Sequence, residues 1–367
     1  MREGVTINSP PILVKSGASS DMTIMVRPAD RGIDRHLLTD LLSRHLSSDS
    51  VEERFDWLYQ ENPHGPAKVW LAQDEVTGKA IGCAAAFPRR LWTSGSIQTG
   101  HVLGDFCTDV EHRSLGLALR LQRVCLDYVG ANSSGLTYDF PSNRMMAIYK
   151  RFQITPFCQI VRWAKPLRAD RKLSEFLKSR LLRLIVAAQV NKLLHWKDLA
   201  RRKQTADWTI ASLDGKCGEE FTVLANSLKD RNGWCVDRSA DYLNWRYWKH
   251  PTRSFEMLTA RRNGVLSGWV VFSSTAEDGS IVDLFGFDDT SMWARLLFGV
   301  VELLRSRRVI TLSLPILETH PCAGLLQSMG FRPRESYPVV IYDPAMLEAS
   351  PERTAARWYL MDGDRES

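Results

Sequence analysis

The alternation of apolar and polar positions predicts short strands and amphipathic helices that follow one another along the chain. TIMVRPA, KVWLAQ and AIGCAAAF are short runs of strand type, and Gly78 between the last two indicates a hairpin turn. DRHLLTDLLSRHL repeats its apolar residues at helical spacing. The pattern therefore predicts an α+β chain, with mixed and mostly antiparallel sheets flanked by helices.

The strand HVLGDFCTDV and the helix after it form the most regular part of this pattern. The helix is predicted over residues 115–129, with Leu117 and Leu121 on its apolar face and Gly130 as its stop. GLTYDFP follows as the next strand. A strand, a helix and a further strand in this order fit the predicted α+β domain, in which helices flank a mixed sheet.

Carboxylates occupy two of these predicted strands. Asp105 and Asp109 are predicted on the face of their strand opposite the apolar Phe106. Asp139 is likewise predicted opposite the apolar neighbours in the next strand. A carboxylate on a central strand is costly unless it is paired or takes part in chemistry. Asp105 and Asp139 are therefore candidate general bases. The alternative is a structural carboxylate that is bonded to loop amides or to an arginine.

An internal repeat indicates a duplicated domain. WLYQENP from Trp57 and WRYWKHP from Trp245 share the pattern W-x-Y-x-x-x-P, and further matches follow both segments in the same order. We therefore predict a flexible leader, an N-terminal domain, a basic helical linker, a degenerate C-terminal domain and a tail. Their ranges are 1–20, 21–168, 169–205, 206–345 and 346–367.

The composition limits the class of protein. The chain is 44% hydrophobic and 25% charged, which is ordinary for a soluble protein, and no apolar run approaches the ~18 residues of a membrane span. Its seven cysteines form no CxxC pair, which argues against a disulfide framework and against a metal site. These features predict a cytoplasmic protein that needs no metal.

The positive charge is concentrated in one segment. The net charge is +6, but residues 168–203 contain eleven Lys and Arg against three Asp and Glu, so the two domains are not basic and no nucleic-acid partner is expected. Residues 172–203 have apolar residues at helical spacing and a basic polar face. They are either a helix packed on the domains or an amphipathic helix in peripheral contact with a membrane.

The segment EHRSLGLALRLQ places Arg113, Gly116 and Ala118 at the start of the predicted helix. The first N–H groups of a helix have no intrahelical partner and attract anions, and a glycine lets an anion approach the backbone closely. The matching helix of the second copy begins with Asp288 and Asp289, which are good N-caps and would repel a phosphate.

The order of elements and the segment DFCTDVEHRSLGLALRLQ resemble the GNAT acyltransferase superfamily, whose pyrophosphate loop reads Q/R-x-x-G-x-G/A. The resemblance implies that the loop holds the pyrophosphate of acyl-CoA and that the end of the preceding strand lies along the pantetheine arm. It also implies an Asn after the next strand. The acyl-CoA residues implied are Thr108, Asp109, Val110, Arg113, Ser114, Leu115, Gly116, Leu117, Ala118 and Asn143.

The same resemblance implies that Tyr149 protonates the departing CoA thiolate. The alternative is an aromatic residue on the packed face of a short helix. The chain departs from the family at Gln153 and Ile154, where Gly and Phe are usual. A second aromatic segment, NGWCVDRSADYLNWRYWKHP, is interpreted either as a lining for a sugar or peptide or as helix packing.

The resemblance implies an enzyme that transfers an acetyl or other short acyl group from acyl-CoA to a small-molecule amine. Tandem members with W-R-Y-x-x-H-P segments resemble proteins of surface-polysaccharide or envelope synthesis, which favours an amino-sugar acceptor. Two alternatives remain. One is a cell-wall peptide transferase that uses aminoacyl-tRNA, and the other is a non-catalytic scaffold that binds CoA and a membrane.

Overall fold

A computed structural model describes most of the chain. The described residues are 12–15, 23–46, 51–93, 96–132, 136–171, 173, 179–202, 208–229, 233–342 and 358–366. The strands are β1 Ile12–Lys15, β2 Thr23–Pro28, β3 Lys68–Asp74, β4 Ala80–Thr93, β5 Ser96–Thr108, β6 Thr137–Asp139, β7 Cys158–Pro166, β8 Thr209–Ser212, β9 Trp234–Val236, β10 Glu256–Arg262, β11 Val265–Ser274, β12 Asp278–Gly286, β13 Thr311–Leu317, β14 Arg332–Tyr342 and β15 Trp358–Tyr359.

Helices cover both halves of the described chain, and residues 180–202 of the predicted linker form one of them. The helices are α1 Arg35–His45, α2 Val51–Phe55, α3 Leu115–Asn132, α4 Asn143–Arg151, α5 Arg180–Arg202, α6 Glu219–Leu228, α7 Ala240–Leu243, α8 Thr290–Ser306 and α9 Ala323–Ser328. Among the described residues, no helix combines the length and the apolar character that crossing a bilayer requires.

The strands form one continuous mixed sheet, which confirms the predicted fold class. Its order is β1-β2-β3-β4-β5-β6-β14-β7-β13-β12-β11-β10-β8. Neighbours along this path are antiparallel except for β5 with β6 and β12 with β13, which are parallel. Each half therefore contains one parallel pair inside a mostly antiparallel sheet.

The two halves exchange their closing strands. Strand β7, from the first half of the sequence, pairs with β13 of the second half. Strand β14, from the second half, pairs with β6 of the first, with Val340 opposite Asp139. The closing strands also pair with each other. Each predicted domain therefore completes the sheet of the other.

The repeated W-x-Y-x-x-x-P segments meet where the halves join. Each forms a five-residue π-helical turn, Asp56–Gln60 after α2 and Asn244–Trp248 after α7. The rings of Trp57 and Trp245 stack with centroids 4.8 Å apart. Each indole N–H donates to the other residue's carbonyl oxygen, at 2.9 and 3.0 Å. Such reciprocal contacts are typical of two copies related by an approximate twofold axis.

Helix α3 covers the sheet of the first half. Leu117 and Leu121 are buried against strands β3 and β4, as their spacing predicted. The predicted stop at Gly130 is wrong, because the helix continues to Asn132. A Cβ placed on Gly130 would touch nothing, so this glycine lies in an ordinary helical turn with open space beside it.

Part of the predicted tail is built into the fold. Strand β15 pairs with β9, and Trp358 stacks on Trp234 at 5.4 Å. Arg238 is buried between the carboxylates of Asp283 and Asp364. Breaking one partner of such a buried pair is strongly destabilising. Residues 358–366 therefore connect the two halves, whereas residues 346–357 lie outside the described chain. Of the predicted leader, residues 12–15 form β1, which pairs with β2.

Candidate functional site

A cavity of about 620 Å³ opens where strands β5 and β6 separate. These parallel strands pair only at His101 with Thr137 and Val102 with Tyr138, and they diverge beyond that point. The end of β5, the start of α3, the segment from β6 to α4 and residue Glu366 line the space. The sheet therefore places the candidate loop and the candidate carboxylates around a single cavity.

The start of α3 offers backbone N–H groups at one side of the cavity. The Leu117 N–H donates to the Ser114 hydroxyl at 3.3 Å, and the Ser114 N–H donates to the His112 carbonyl oxygen at 2.7 Å. Within the described part of the chain, no acceptor faces the N–H groups of Leu115 and Gly116. These two groups are the unpaired donors that a helix N-terminus supplies to an anion.

The side chains around this helix start suit an anion. Gly116 is exposed, and a Cβ on it would meet no atom within 4 Å, so the space beside its Cα is open, although Gly116 is not among the residues that line the cavity. Arg113 and Arg144 both line the cavity and bring positive charge to its mouth. Ala118 lies further along the same wall. Among the described residues, the loop N–H groups of Ser114, Leu117 and Ala118 are thus already bonded, and those of Leu115 and Gly116 remain for an anion.

Residues at the end of β5 have two different roles, one in lining the cavity and one in holding the turn that follows. Thr108 lines the cavity. Asp109 is held by Arg44 at 2.5 Å and by Lys79 at 3.1 Å. Burial would raise the pKa of Asp109, but these two hydrogen-bonded cations outweigh it and lower the pKa to about 2. Val110 is exposed at the start of a short 3₁₀ turn. Asp109 therefore fixes the turn before the loop.

Asp139, at the end of β6, is a buried carboxylate that reaches the cavity wall. The hydroxyl of Tyr149 donates to its Oδ2 at 2.6 Å, and the Gln122 amide donates to that hydroxyl at 3.3 Å. Burial raises the pKa of Asp139 to about 7, against the lowering effect of the Tyr149 hydrogen bond. A carboxyl group with this pKa can take and return a proton near neutral pH.

Helix α4 contains two further candidate residues, Tyr149 and Asn143, whose surroundings differ from those of Asp139. Tyr149 is completely buried, and burial, followed by the charge of Asp139, raises its pKa well above 10. Tyr149 does not itself line the cavity, but its hydroxyl contacts Asp139 and Gln122, which do. Asn143 is the exposed first residue of α4, which the Ser142 hydroxyl caps by accepting from the Met145 N–H at 3.2 Å.

Asp105 is a paired carboxylate. The Arg54 guanidinium donates to both of its oxygens at 2.7 and 2.8 Å, and the Tyr59 hydroxyl donates at 2.6 Å. Its φ of +48° lies in the left-handed region, which interrupts the strand alternation used for the prediction. The surroundings match the arginine-bonded alternative. Asp105 is thus held at the cavity wall with its acceptor sites occupied.

Glu366 is a cavity residue that the sequence reasoning missed. Its side chain lies against Gly104 of β5, where a Cβ would collide with the Glu366 methylenes. It lines the cavity beside Asp105. Burial, together with the Asp105 carboxylate, raises the pKa of Glu366 above its usual value. The available signal was the glycine inside a strand, which often marks the close approach of another segment.

No family model matches the sequence, and no curated protein matches it either. Solved structures do match. A GCN5-related N-acetyltransferase from Anabaena variabilis has a TM-score of 0.60 at 13% identity, covering 86% of this chain and 72% of that one. A probable N-acyltransferase from Enterococcus faecalis has a TM-score of 0.58 at 12% identity, covering 87% and 71%.

Saccharomyces cerevisiae N-myristoyltransferase with bound myristoyl-CoA is also similar, with a TM-score of 0.53 at 11% identity, covering 90% of this chain and 81% of that one. The chain has the GNAT fold. The likeness extends over most of its length.

The second GNAT-like half closes the matching helix start. Asp289 caps α8 by accepting from the N–H groups of Ser291 at 2.8 Å and Met292 at 3.0 Å. The cap predicted from the sequence is confirmed. The Met292 side chain lies against Gly268 and Gly286, where added Cβ atoms would collide with it. In this half the N–H groups of Ser291 and Met292 are therefore bonded, and the space beside Gly268 and Gly286 is filled.

The aromatic segment of the second half serves packing. Trp245 stacks on Trp57, Trp234 stacks on Trp358, and Trp248 packs against the core of the second half. None of the three is among the residues that line the cavity described above. Among the described residues, no group of three or more His, Cys, Asp or Glu is placed to hold a metal ion.

Proposed function

We propose that the chain transfers an acyl group from acyl-CoA to an amine in the cavity of its first half. The observation that carries the proposal is a single cavity with anion-binding features at one wall and Asp139 at another. The unpaired N–H groups of Leu115 and Gly116, together with Arg113, suit the pyrophosphate. The GNAT fold supports the same assignment, because its neighbours include acetyl and myristoyl transferases.

The chemistry follows from the carboxylate. An amine arrives protonated, and Asp139, with its pKa of about 7, takes a proton to free the nitrogen lone pair. The nitrogen attacks the thioester carbon, the C–N bond forms, and the C–S bond breaks with its electron pair on sulfur. The proton that the nitrogen then loses neutralises the thiolate, and Asp139 returns its own proton to solvent.

The remaining candidate residues have supporting roles around Asp139. Tyr149 donates to Asp139, so we assign it a positioning role instead of the acid role that the family resemblance implied. Glu366 lines the same cavity and offers a carboxyl group to the acceptor, whereas Asp105 is already paired with Arg54. Glucosamine-type acceptors of surface-polysaccharide synthesis fit this chemistry. The resemblance of the W-R-Y-x-x-H-P segment also favours them.

The alternatives predict a different cavity. A transferase that uses aminoacyl-tRNA needs no open pyrophosphate loop, whereas Leu115 and Gly116 present open N–H groups here. A scaffold has no use for a cavity carboxylate with a pKa of about 7. The open loop and Asp139 together favour the enzyme.

The test measures binding and turnover separately. Acetyl-CoA and longer acyl-CoAs are titrated against the full chain in a thermal-shift assay, and a ligand at 100 times its Kd should stabilise the chain by about 2.7 kcal/mol. Release of free CoA thiol is then followed with glucosamine and with glucose, which lacks the amine. Thiol release with glucosamine alone supports the proposal. The absence of both a thermal shift and thiol release contradicts it.

A further inference from the structure

Helix α5, Arg180–Arg202, has one face fixed to the rest of the molecule. Ala187 and Asp198 are buried on that face. The Asp198 carboxylate accepts from Lys165 Nζ at 2.8 Å and from the Arg305 guanidinium at 2.9 Å. These contacts tie the helix to strand β7 and helix α8. The orientation of α5 is therefore set by ion pairs on its inner side.

The outer face of α5 is apolar and exposed. Six large apolar side chains on this one helix are between 50% and 74% exposed, whereas such residues elsewhere on the described surface are scattered. Single exposed apolar residues need no explanation, but a contiguous group marks an interaction surface. The outer face consists of Leu181, Leu182, Leu184, Ile185, Leu193 and Trp196.

The charge of this helix points to the kind of partner. Lys192 and Lys197 are exposed, and the sequence of the helix adds four arginines. The single acid of the helix is Asp198, which faces inward and is paired. A basic helix with an exposed apolar face, including a tryptophan, is typical of a segment that lies in the surface of an anionic bilayer.

Lys192 distinguishes a bilayer from a second copy of the chain. It lies one turn before Trp196 and two turns after Ile185, in the middle of the outer face. At an interface with a second copy, this ammonium group would lose its water, which is costly unless it is paired. At a bilayer, the lysine stem can lie along the apolar surface while the ammonium group reaches the lipid phosphates.

We propose that the chain docks on an anionic lipid bilayer through the outer face of α5. The helix lies parallel to the membrane plane, with Leu181, Ile185 and Trp196 at the acyl boundary and the basic side chains at the headgroups. The proposal is independent of the acyl-transfer chemistry, because the cavity and this face lie on different halves of the fold.

The experiment is co-sedimentation of the full chain with vesicles, without acyl-CoA. Vesicles of phosphatidylcholine are compared with vesicles that also contain about 30 mole per cent phosphatidylserine, an anionic lipid that attracts polybasic segments. We expect roughly tenfold more bound chain on the anionic vesicles. High salt should weaken this binding, because it screens the lysines and arginines.

A matched pair of triple variants assigns the surface. Leu181→Ser with Ile185→Ser and Trp196→Ser should abolish vesicle binding. The control variant makes the same change at three exposed apolar residues elsewhere, Ile33→Ser with Val76→Ser and Val265→Ser, and should bind like the parent chain.

Three results would overturn the proposal. The first is equal binding to both kinds of vesicle. The second is binding that survives in the α5 variant while its circular dichroism matches the parent. The third is a dimer in light scattering that the α5 variant alone dissociates, because that result assigns the face to a second copy. None of the three affects the thiol-release assay, so a failure here is distinguishable from a failure of the proposed acyltransferase.

Discussion

The starts of helices α3 and α8 occupy matching places in the two halves and differ in what meets their N–H groups. At α3, no acceptor among the described residues takes the N–H groups of Leu115 and Gly116. At α8, Asp289 accepts from two N–H groups, and Met292 fills the neighbouring space. The comparison shows that the fold can leave this helix end open for an anion or close it with an acid. The open end adjoins the cavity that is also lined by Asp139, whose pKa burial raises to about 7.

A second pair of positions differs in the same direction. The turns after α4 and α9 have equivalent hydrogen bonds. The Ile154 N–H donates to the Tyr149 carbonyl oxygen, and the Phe331 N–H donates to the Leu326 carbonyl oxygen. The left-handed residue is Gln153 with φ of +59° in the first half and Gly330 with φ of +88° in the second. The first half therefore keeps an open site and a strained turn, while the second half is capped and relaxed.

The largest expected effect comes from Asp139→Asn, which tests whether the first half alone is catalytic. The variant cannot accept a proton, so kcat should fall by roughly 10² to 10⁴. The parent chain needs an ionised Asp139, so its kcat/KM should rise with pH through about 7, and the variant should lose that rise. Thiol release measured from pH 5 to 9 checks both. A variant with parental kcat would show that another group is the base.

The same substitution has a stability consequence with a definite sign. The pKa of Asp139 is about 7 in the folded chain and near 3.8 when exposed, so the folded state holds this proton more tightly. Its contribution to stability is present below pH 4 and is lost as the pH rises through 7. Denaturant unfolding should therefore show the parent losing stability relative to Asp139→Asn across that range.

The next effect comes from giving the first half the acid that closes the second. Gly116→Asp should abolish the thermal shift that acyl-CoA produces, because the carboxylate repels the pyrophosphate and competes for the open N–H groups. The fold should survive, since a side chain at Gly116 meets nothing within 4 Å. Gly130→Asp is the matched control. It lies in the same helix with equally open space, and it should leave the shift unchanged. An unaltered shift in Gly116→Asp would place the cofactor elsewhere.

The elements and the loop could be predicted from sequence because they depend on local pattern. Helical spacing located α3, and R-x-x-G-x-A located its open end. The duplicated W-x-Y-x-x-x-P segments indicated two copies, and the structure brings their tryptophans together. Acids at the start of a helix were enough to predict the Asp289 cap.

The features that escaped prediction depend on distant parts of the chain. Strand exchange between β7 and β14 follows from pairings between the halves, which no local period encodes. The side-chain alternation of β5 fails at Asp105 because its φ is positive and Arg54 holds it from another element. Glu366 reaches the cavity from the far end of the sequence, and only the glycine opposite it, Gly104, indicated that a segment approaches there.

The smallest expected effect tests the strained turn. Gln153→Gly should raise the free energy of unfolding by about 1 kcal/mol, because a non-glycine residue pays that much for a left-handed backbone. The reverse change, Gly330→Gln, should lower it by a similar amount, since Gly330 has φ of +88° in the equivalent turn. Denaturant unfolding measures the free energy of unfolding of both variants.

If Gln153→Gly were destabilising, the contacts of the Gln153 side chain would stabilise the fold by more than its left-handed backbone costs. The two turns would then not be energetic equivalents. Unchanged thiol release in Gln153→Gly would separate this strain from the chemistry at Asp139, which lies one helix away.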